Sequence, residues 1–221
     1  MKKIINMLTC ALLSLFILAG CSAKTKEPAT SVSSTEAAGE YNNIGKSLNE
    51  LMAEHPNMVF DTVYIANADG CVVTEKGSPY SYYFYGTQYA AFEPLYTKGY
   101  GDRLKCAGIA SSIGYIFPQA EDGALIPDFC ASIGVSDYKI YTAISGNTLC
   151  FSYNGLSVSI NWLDNNYDSS HEEDANADAY YTDYYKANYH IGKSSPVIIY
   201  NGTIAAENEA IIDQVADSVY S

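Results

Sequence analysis

Apolar and polar residues alternate along much of this chain, and that alternation is typical of strands that bury one face. Bounded by turn residues, it predicts strands at 58–66, 71–76, 80–85, 138–144, 148–153, 156–162 and 197–200, with a less regular pattern at 90–96 and 104–109. Asn154-Gly155, between two of these segments, is a typical two-residue hairpin turn. We therefore predict an antiparallel sheet.

Three segments show helical spacing instead. Ser47 and Glu50 form a capping-box pattern that opens a helix, and Pro56 ends it at His55. A second helix is predicted from about Pro127 to a stop at Gly134. A third is predicted from about residue 205, with one apolar stripe formed by Ile211, Ile212, Val215 and Val219. The predicted fold is α+β, an antiparallel sheet with the helices packed on one face.

The chain divides into three parts. Residues 22–40 contain one large apolar residue, Val32, and are rich in Ser, Thr and Ala. Such a segment cannot bury enough surface to offset its ordering entropy, so it is predicted to be a flexible tether of about 25 Å. The predicted division is a leader at 1–20, an anchor and tether at 21–40, and a globular domain at 41–221.

The leader has a short basic start, Lys2-Lys3, and an apolar run from residue 4 to residue 19. It ends in Leu18-Ala19-Gly20-Cys21, which resembles the lipobox of bacterial lipoproteins, and the Ser/Thr-rich segment that follows resembles the tethers of Firmicutes lipoproteins more than those of outer-membrane lipoproteins. The resemblance implies cleavage before Cys21, acylation of its thiol, and a lipid-anchored protein on the extracytoplasmic face of the cell membrane. The alternative is an ordinary secretory signal with an incidental Cys.

The hydrophobic content and the net charge of the chain exclude some classes of protein. Hydrophobic residues make up 48% of the chain and charged residues 17%, which predicts a packed domain. The formal net charge of −13 argues against nucleic acid as a partner, because phosphate binding needs clustered Lys and Arg.

Six cysteines divide by position. Cys10 lies in the leader and Cys21 in the lipobox, which leaves Cys71, Cys106, Cys130 and Cys150. Outside the cytoplasm four cysteines favour two disulfides, with three possible connectivities; in one of them Cys130 pairs with Cys150 and Cys71 with Cys106. The alternative is four buried thiols. A zinc site is not expected, because no two of these cysteines have knuckle spacing.

No sequence motif for a nucleophile, a phosphate loop or a dinucleotide fold is present, so we expect neither catalysis nor a cofactor. An enzyme acting on glycan through a carboxylate pair stays an alternative. Its candidate acids are Asp61, Glu75, Glu93, Asp102 and Asp128.

An acidic segment follows the last predicted hairpin. Asp174, Asn176 and Asp178 reproduce the start of a calcium-binding loop, but Ala179 stands where that loop needs Gly and Tyr185 where it needs Glu. A solvated acidic loop is the preferred interpretation, and the three residues are a weak calcium candidate.

Tyrosine is the most unusual component, with 21 residues. Tyr83 and Tyr85 lie in a strand that is aromatic on both faces, and a second cluster at 180–189 would form an amphipathic Tyr stripe if helical. Exposed Tyr is typical of recognition surfaces, so Tyr83, Tyr85, Tyr181 and Tyr185 are the candidate binding residues. The alternative is that Tyr fills half-buried strand positions.

A helix followed by strands and a Cys-bearing turn occurs at residues 48–71 and again at 127–150. Over residues 44–162 this order resembles the tandem helix-plus-β-meander modules of β-lactamase inhibitory proteins and similar envelope lipoproteins. The resemblance implies two repeats and a surface that binds protein rather than a catalytic site.

Together these features predict a membrane-anchored binding lipoprotein that recognises an envelope protein or glycan through Tyr-rich surface. A glycan hydrolase and a structural envelope component are the alternatives.

Overall fold

The computed structural model describes residues 40–65, 68–86, 92–143, 146–163, 170 and 176–220. The predicted leader, Cys21 and the tether as far as residue 39 lie outside these ranges, as does Asp174. Within them, no helix is both long and apolar enough to cross a membrane.

The described residues form six α-helices and ten strands. After a 3-10 turn at Tyr41–Asn43, the helices are α1 (Leu48–Glu54), α2 (Glu93–Thr97), α3 (Ile113–Ile116), α4 (Ile126–Ser132), α5 (Ala177–Asn188) and α6 (Gly202–Tyr220). The strands are β1 (Met58–Ile65), β2 (Ala68–Glu75), β3 (Ser81–Gly86), β4 (Gly108–Ser112), β5 (Ala124–Leu125), β6 (Tyr138–Ala143), β7 (Gly146–Tyr153), β8 (Leu156–Trp162), β9 (His190–Ile191) and β10 (Pro196–Tyr200).

Local sequence signals account for most of these boundaries. Ser47 and Glu50 form the predicted reciprocal capping box, which satisfies two amides at the start of α1. Asn154 and Gly155 both adopt positive φ, of 50° and 80°, so the β7–β8 turn has the backbone that the Asn-Gly sequence favours.

Two strand predictions were wrong. The segment 90–96 overlaps helix α2, which runs from Glu93 to Thr97 and has Pro94 in its first turn, where the missing amide hydrogen costs nothing. The segment 104–109 overlaps only the first two residues of β4, because Leu104 and Cys106 pack among the helices before the strand begins.

Eight strands form one sheet in the order β1-β2-β3-β4-β10-β8-β7-β6, and every pair is antiparallel. The first four strands therefore meet the last four at the β4–β10 pair. A separate ladder joins β5 to β9. The predicted α+β class with an antiparallel sheet is confirmed.

The two faces of the sheet have different roles. One face, here called the helical face, carries a continuous apolar row across the strands, formed by Val73, Tyr82, Ile109, Ile199, Val158 and Phe151. Helices α1 to α5 and the second half of α6 pack on this face, in two clusters of buried residues.

The opposite face, here called the inner face, is curled. Strands β1 and β8 lie five positions apart in the sheet order and yet contact each other. The curl buries Val72, Tyr83, Ile198 and Tyr200, which form a third apolar cluster with the first turn of α6. Because both faces of the sheet are buried, apolar residues occur at odd and at even positions along the central strands.

The order of helix, three-stranded meander, helix and fourth strand occurs twice. It runs through α1, β1–β3, α2 and β4, and again through α4, β6–β8, α5 and β10, although the second copy has the short strand β9 between α5 and β10. Agreement in element order alone does not establish duplication, so the tandem repeat stays a prediction.

Candidate functional site

Tyr83 and Tyr85 are not exposed, which corrects their assignment to a binding surface. Their exposed fractions are 3% and 0%. Tyr83 points to the inner face, where its ring packs edge-on against Tyr200 at 5.6 Å. A β-bulge opposite Cys71 brings Tyr85 into the helical-face cluster, edge-on to Phe92 at 5.5 Å. Because the curl of the sheet covers one face of β3 and the helices cover the other, neither ring reaches solvent.

The second Tyr cluster is a helix, and it is amphipathic as predicted, but the exposed side is the opposite one. Tyr181 and Tyr185 are 4% and 1% exposed and lie in the core, whereas Tyr180 and Tyr184 are 41% and 39% exposed. Four-residue spacing places each pair on one side of α5. The candidate surface residues on this helix are therefore Tyr180 and Tyr184.

The core contacts of α5 hold these two exposed rings in place. Tyr185 packs edge-on against Trp162 at 5.5 Å, and Tyr184 packs edge-on against Tyr185 at 5.2 Å. Tyr180 makes the same contact with Tyr181 at 5.3 Å. Each exposed ring thus leans on a buried ring, so little side-chain entropy is left to lose on binding.

The exposed residues beside the rings of Tyr180 and Tyr184 have either a small side chain or one that can form hydrogen bonds. Tyr180, Asp183, Tyr184 and Ala187 share one side of the helix and are all exposed; we call them the α5 outer face. Asp183 lies 3.8 Å from Lys186, and the Lys186 ammonium lies over the Tyr138 ring. The arrangement offers two aromatic rings and one carboxylate to a partner.

A second aromatic surface was missed by the sequence reasoning. Tyr41, Tyr80, Tyr115, Tyr153 and Leu156 come from five separate segments and lie together at the rim of the helical face; we call them the aromatic patch. Tyr115 is 47% exposed and the others are partly or largely buried. No local pattern in the sequence links these residues.

The cysteines correct the disulfide prediction. Cys71, Cys106, Cys130 and Cys150 are all buried, and none forms a disulfide. Cys130 lies in the helical-face core, whereas Cys150 points to the inner face, with its Sγ 3.6 Å from the Ser159 Oγ. The sheet separates these two thiols. Burial raises the pKa of Cys106 and of Cys130 to about 12, which keeps both thiols protonated and unreactive.

The calcium candidate is only partly described. Asn176 precedes the first residue of α5, and Asp178 lies in the first turn of that helix, where the helix dipole stabilises a carboxylate. Among the described residues, no three His, Cys, Asp or Glu side chains converge as metal ligands would.

The dispersed acids each have a local contact or a solvent-exposed position. Asp61 accepts a hydrogen bond from the Thr62 amide, Glu75 lies 3.3 Å from the His55 Nδ1, and Asp102 accepts one from Asn49. Glu93 and Asp128 lie in the first turns of α2 and α4 and are exposed. A shallow groove of roughly 140 Å³ opens on the inner face, and its polar lining is uncharged: Ser81, Ser111, Ser159 and Asn161.

One carboxyl has unusual electrostatics. Glu209 is half-buried on α6, and burial, with a further contribution from the Asp213 carboxylate, raises its pKa to about 7. A hydrogen bond from the Gly86 backbone acts in the opposite direction. The folded protein therefore keeps this side chain protonated to a higher pH than the unfolded chain does.

We predict that this carboxyl makes stability depend on pH. Since the folded pKa lies above the unfolded value, the stabilisation is complete below about pH 4.5 and is lost as the pH rises through about 7. We expect this loss to be about 1–2 kcal/mol of unfolding free energy after allowance for solvent screening. Glu209→Gln should remove it, because glutamine does not titrate. Thermal unfolding at pH 5 and pH 8 measures it, with the exposed Glu207→Gln as control. Equal pH dependence in Glu209→Gln and the wild type would contradict the assignment.

Comparison with known proteins gives no relative: no family model, no curated protein and no solved structure matches the chain.

Proposed function

We propose that this protein is a lipid-anchored, extracytoplasmic binding lipoprotein that recognises an envelope protein or glycan through the α5 outer face. The anchor is the acylated Cys21 of the lipobox, and the binding residues are Tyr180 and Tyr184. Tyr83, Tyr85, Tyr181 and Tyr185 support the fold instead, because their rings are buried.

The observation that supports this proposal is the division of the four α5 tyrosines. The inner pair fixes the helix on the sheet through Trp162 and the core, and the outer pair remains about 40% exposed. Tyr supplies a large contact area at low entropic cost, together with a hydroxyl that can hydrogen-bond. A rigid aromatic pair of this kind suits stacking on a sugar ring or packing against a protein side chain.

A carboxylate-pair hydrolase is supported less well. The described candidate acids lie on different elements, and the inner-face groove has no carboxylate in its lining. A structural envelope component is the second candidate, favoured by β1 and β6, the terminal strands of the eight-stranded sheet, whose outer edges could pair with strands of a partner.

The test is retention of a partner from a detergent-solubilised envelope fraction on the immobilised full chain. Tyr180→Ala/Tyr184→Ala should reduce retention about tenfold or more, because two central aromatic contacts each contribute more than about 1 kcal/mol. Digestion of the bound material with protease or with glycosidases then shows which class the partner belongs to.

Tyr115→Ala is the matched control, since it removes an equally exposed Tyr from another surface. It should leave retention within about twofold of the wild type. Equal retention by the wild type and the Tyr180→Ala/Tyr184→Ala variant, with both chains folded by circular dichroism, would refute the proposed surface.

A further inference from the structure

The aromatic patch is one continuous group of side chains, of which Tyr115 is the exposed member. The rings of Tyr80 and Tyr115 meet edge-on at 5.9 Å. The Tyr41 phenol lies close enough to Tyr80 and Tyr153 to interact electrostatically with both. Tyr153 and Leu156 are paired residues at the β7–β8 turn and extend the patch to that edge of the domain.

The patch is neutral. Burial raises the pKa of Tyr41 to about 12, and the neighbouring phenols of Tyr153 and Tyr80 raise it further, so its hydroxyl stays protonated at physiological pH. That hydroxyl is buried and makes no hydrogen bond in the structure. On a chain with a net charge of −13, an uncharged aromatic surface is suited to a contact that charge does not drive.

The chain enters the domain at this patch. Tyr41 belongs to the patch, and Glu40 before it accepts a 2.6 Å hydrogen bond from the Tyr82 hydroxyl. Asn43 donates to the same carboxylate and to the same hydroxyl. These bonds fix the point at which the preceding segment joins the sheet, directly beside the patch.

The length of that segment sets how far the patch lies from the bilayer. If Cys21 carries the lipid, 18 residues separate it from Glu40, and a chain of that length can span at most about 60 Å. Anchoring at that distance keeps the domain at high effective concentration beside the bilayer, so even a weak surface contact would be well populated. Along the chain, the aromatic patch is the first part of the described domain after the anchor, because Tyr41 follows Glu40.

We infer that the aromatic patch docks on the lipid headgroup region of the bilayer that holds the anchor. Tyr is enriched at membrane–water interfaces because its ring is apolar and its hydroxyl stays wet, and Tyr115 presents such a ring to solvent. The contact orients the domain on the membrane instead of leaving it to rotate on its tether. This inference rests on the lipid anchor of the proposed function.

The test uses tryptophan as a depth probe in the full, acylated chain. Tyr115→Trp and Tyr184→Trp place the probe at two positions of similar exposure, one in the patch and one on the α5 outer face. Each protein is reconstituted into neutral phosphatidylcholine vesicles, with or without bromine on the acyl chains. The native Trp162 is 7% exposed and supplies a constant background, measured in the unsubstituted protein.

Bromolipid should quench the Tyr115→Trp probe at least about twice as strongly as the Tyr184→Trp probe, since only the first lies at the interface. The quenching should change little with salt, because the patch carries no charge. Equal quenching at the two positions, or stronger quenching at position 184, would overturn the inference.

Flotation of the vesicles separates this result from failure of the anchor. Protein that floats without preferential quenching at position 115 refutes the docking and leaves the anchored binding protein standing. Protein that does not float with the vesicles refutes the anchor, and the docking inference fails with it.

Discussion

Replacing Gly108 with alanine is expected to destabilise the protein by about 3 kcal/mol. Gly108 lies at the start of β4 and faces Tyr83 of β3 on one side and Tyr200 of β10 on the other. A methyl group there would lie 2.5 Å from the Tyr200 Cβ and 2.7 Å from its Cα, and would also overlap the Ile199 carbonyl oxygen.

This overlap lowers the free energy of unfolding strongly, because backbone atoms, unlike the end of a flexible side chain, cannot easily move away. The β4–β10 pair joins the two halves of the eight-stranded sheet, so neither strand can withdraw without loosening the other. Close-packed interiors relax only partly around an inserted group. Both strands and the inner-face cluster around Tyr200 should be strained together.

Chemical denaturation followed by Trp162 fluorescence and by circular dichroism measures the loss. Gly202→Ala is the matched control, because a methyl group at that position contacts nothing within 4 Å. It should change the free energy of unfolding by no more than about 0.5 kcal/mol. A loss below about 1 kcal/mol in Gly108→Ala would show that the strand junction accommodates a side chain.

Removal of the Asn208 side chain should cost about as much, roughly 3 kcal/mol. Asn208 is 1% exposed on α6, and its amide bonds to three backbone groups. Its Oδ1 accepts from the Lys105 amide at 2.9 Å, and its Nδ2 donates to the carbonyls of Phe84 and Lys105 at 2.8 and 2.7 Å.

These bonds connect α6 to β3 and to the segment before β4. Asn208→Ala leaves the Lys105 amide and the carbonyls of Phe84 and Lys105 without the side chain that bonds to them. Each buried backbone group left without a hydrogen bond lowers the free energy of unfolding by about 1–3 kcal/mol. The three losses do not add up in full, because the N-terminal part of α6 can shift and admit water to the exposed groups. Asn208→Asp should also destabilise, since a carboxylate would face two carbonyl oxygens.

Hydrogen exchange gives a direct measure of this connection. The Lys105 amide should lose protection in Asn208→Ala before the strands do. Gln214→Ala is the control on the same helix, since Gln214 is exposed and its side chain accepts a hydrogen bond of 3.3 Å from the exposed Arg103. Unchanged protection at Lys105 would show that the Asn208 bonds do not hold this junction.

Much of the candidate site lay beyond sequence reasoning for a definite reason. Tyr80 to Tyr85 predict a strand correctly, but which rings are exposed depends on the inner face, and that face is covered by the curl that brings β1 to β8. For α5 the spacing indicated one amphipathic Tyr stripe, whereas the folded helix carries tyrosines on both its buried and its exposed side. Which side packs on Trp162 depends on the position of the helix on the sheet.

By itself the sequence determined the features that depend on neighbouring residues: the Ser47–Glu50 cap, the Asn154-Gly155 turn, most strands, and the α+β class. Tertiary structure alone decided which tyrosines reach solvent, that the sheet separates Cys130 from Cys150, and that Asn208 fastens α6. The physical reason is range. Caps and turns satisfy hydrogen bonds within a few residues, whereas burial depends on segments from about twenty to more than a hundred residues apart that meet only in the folded protein.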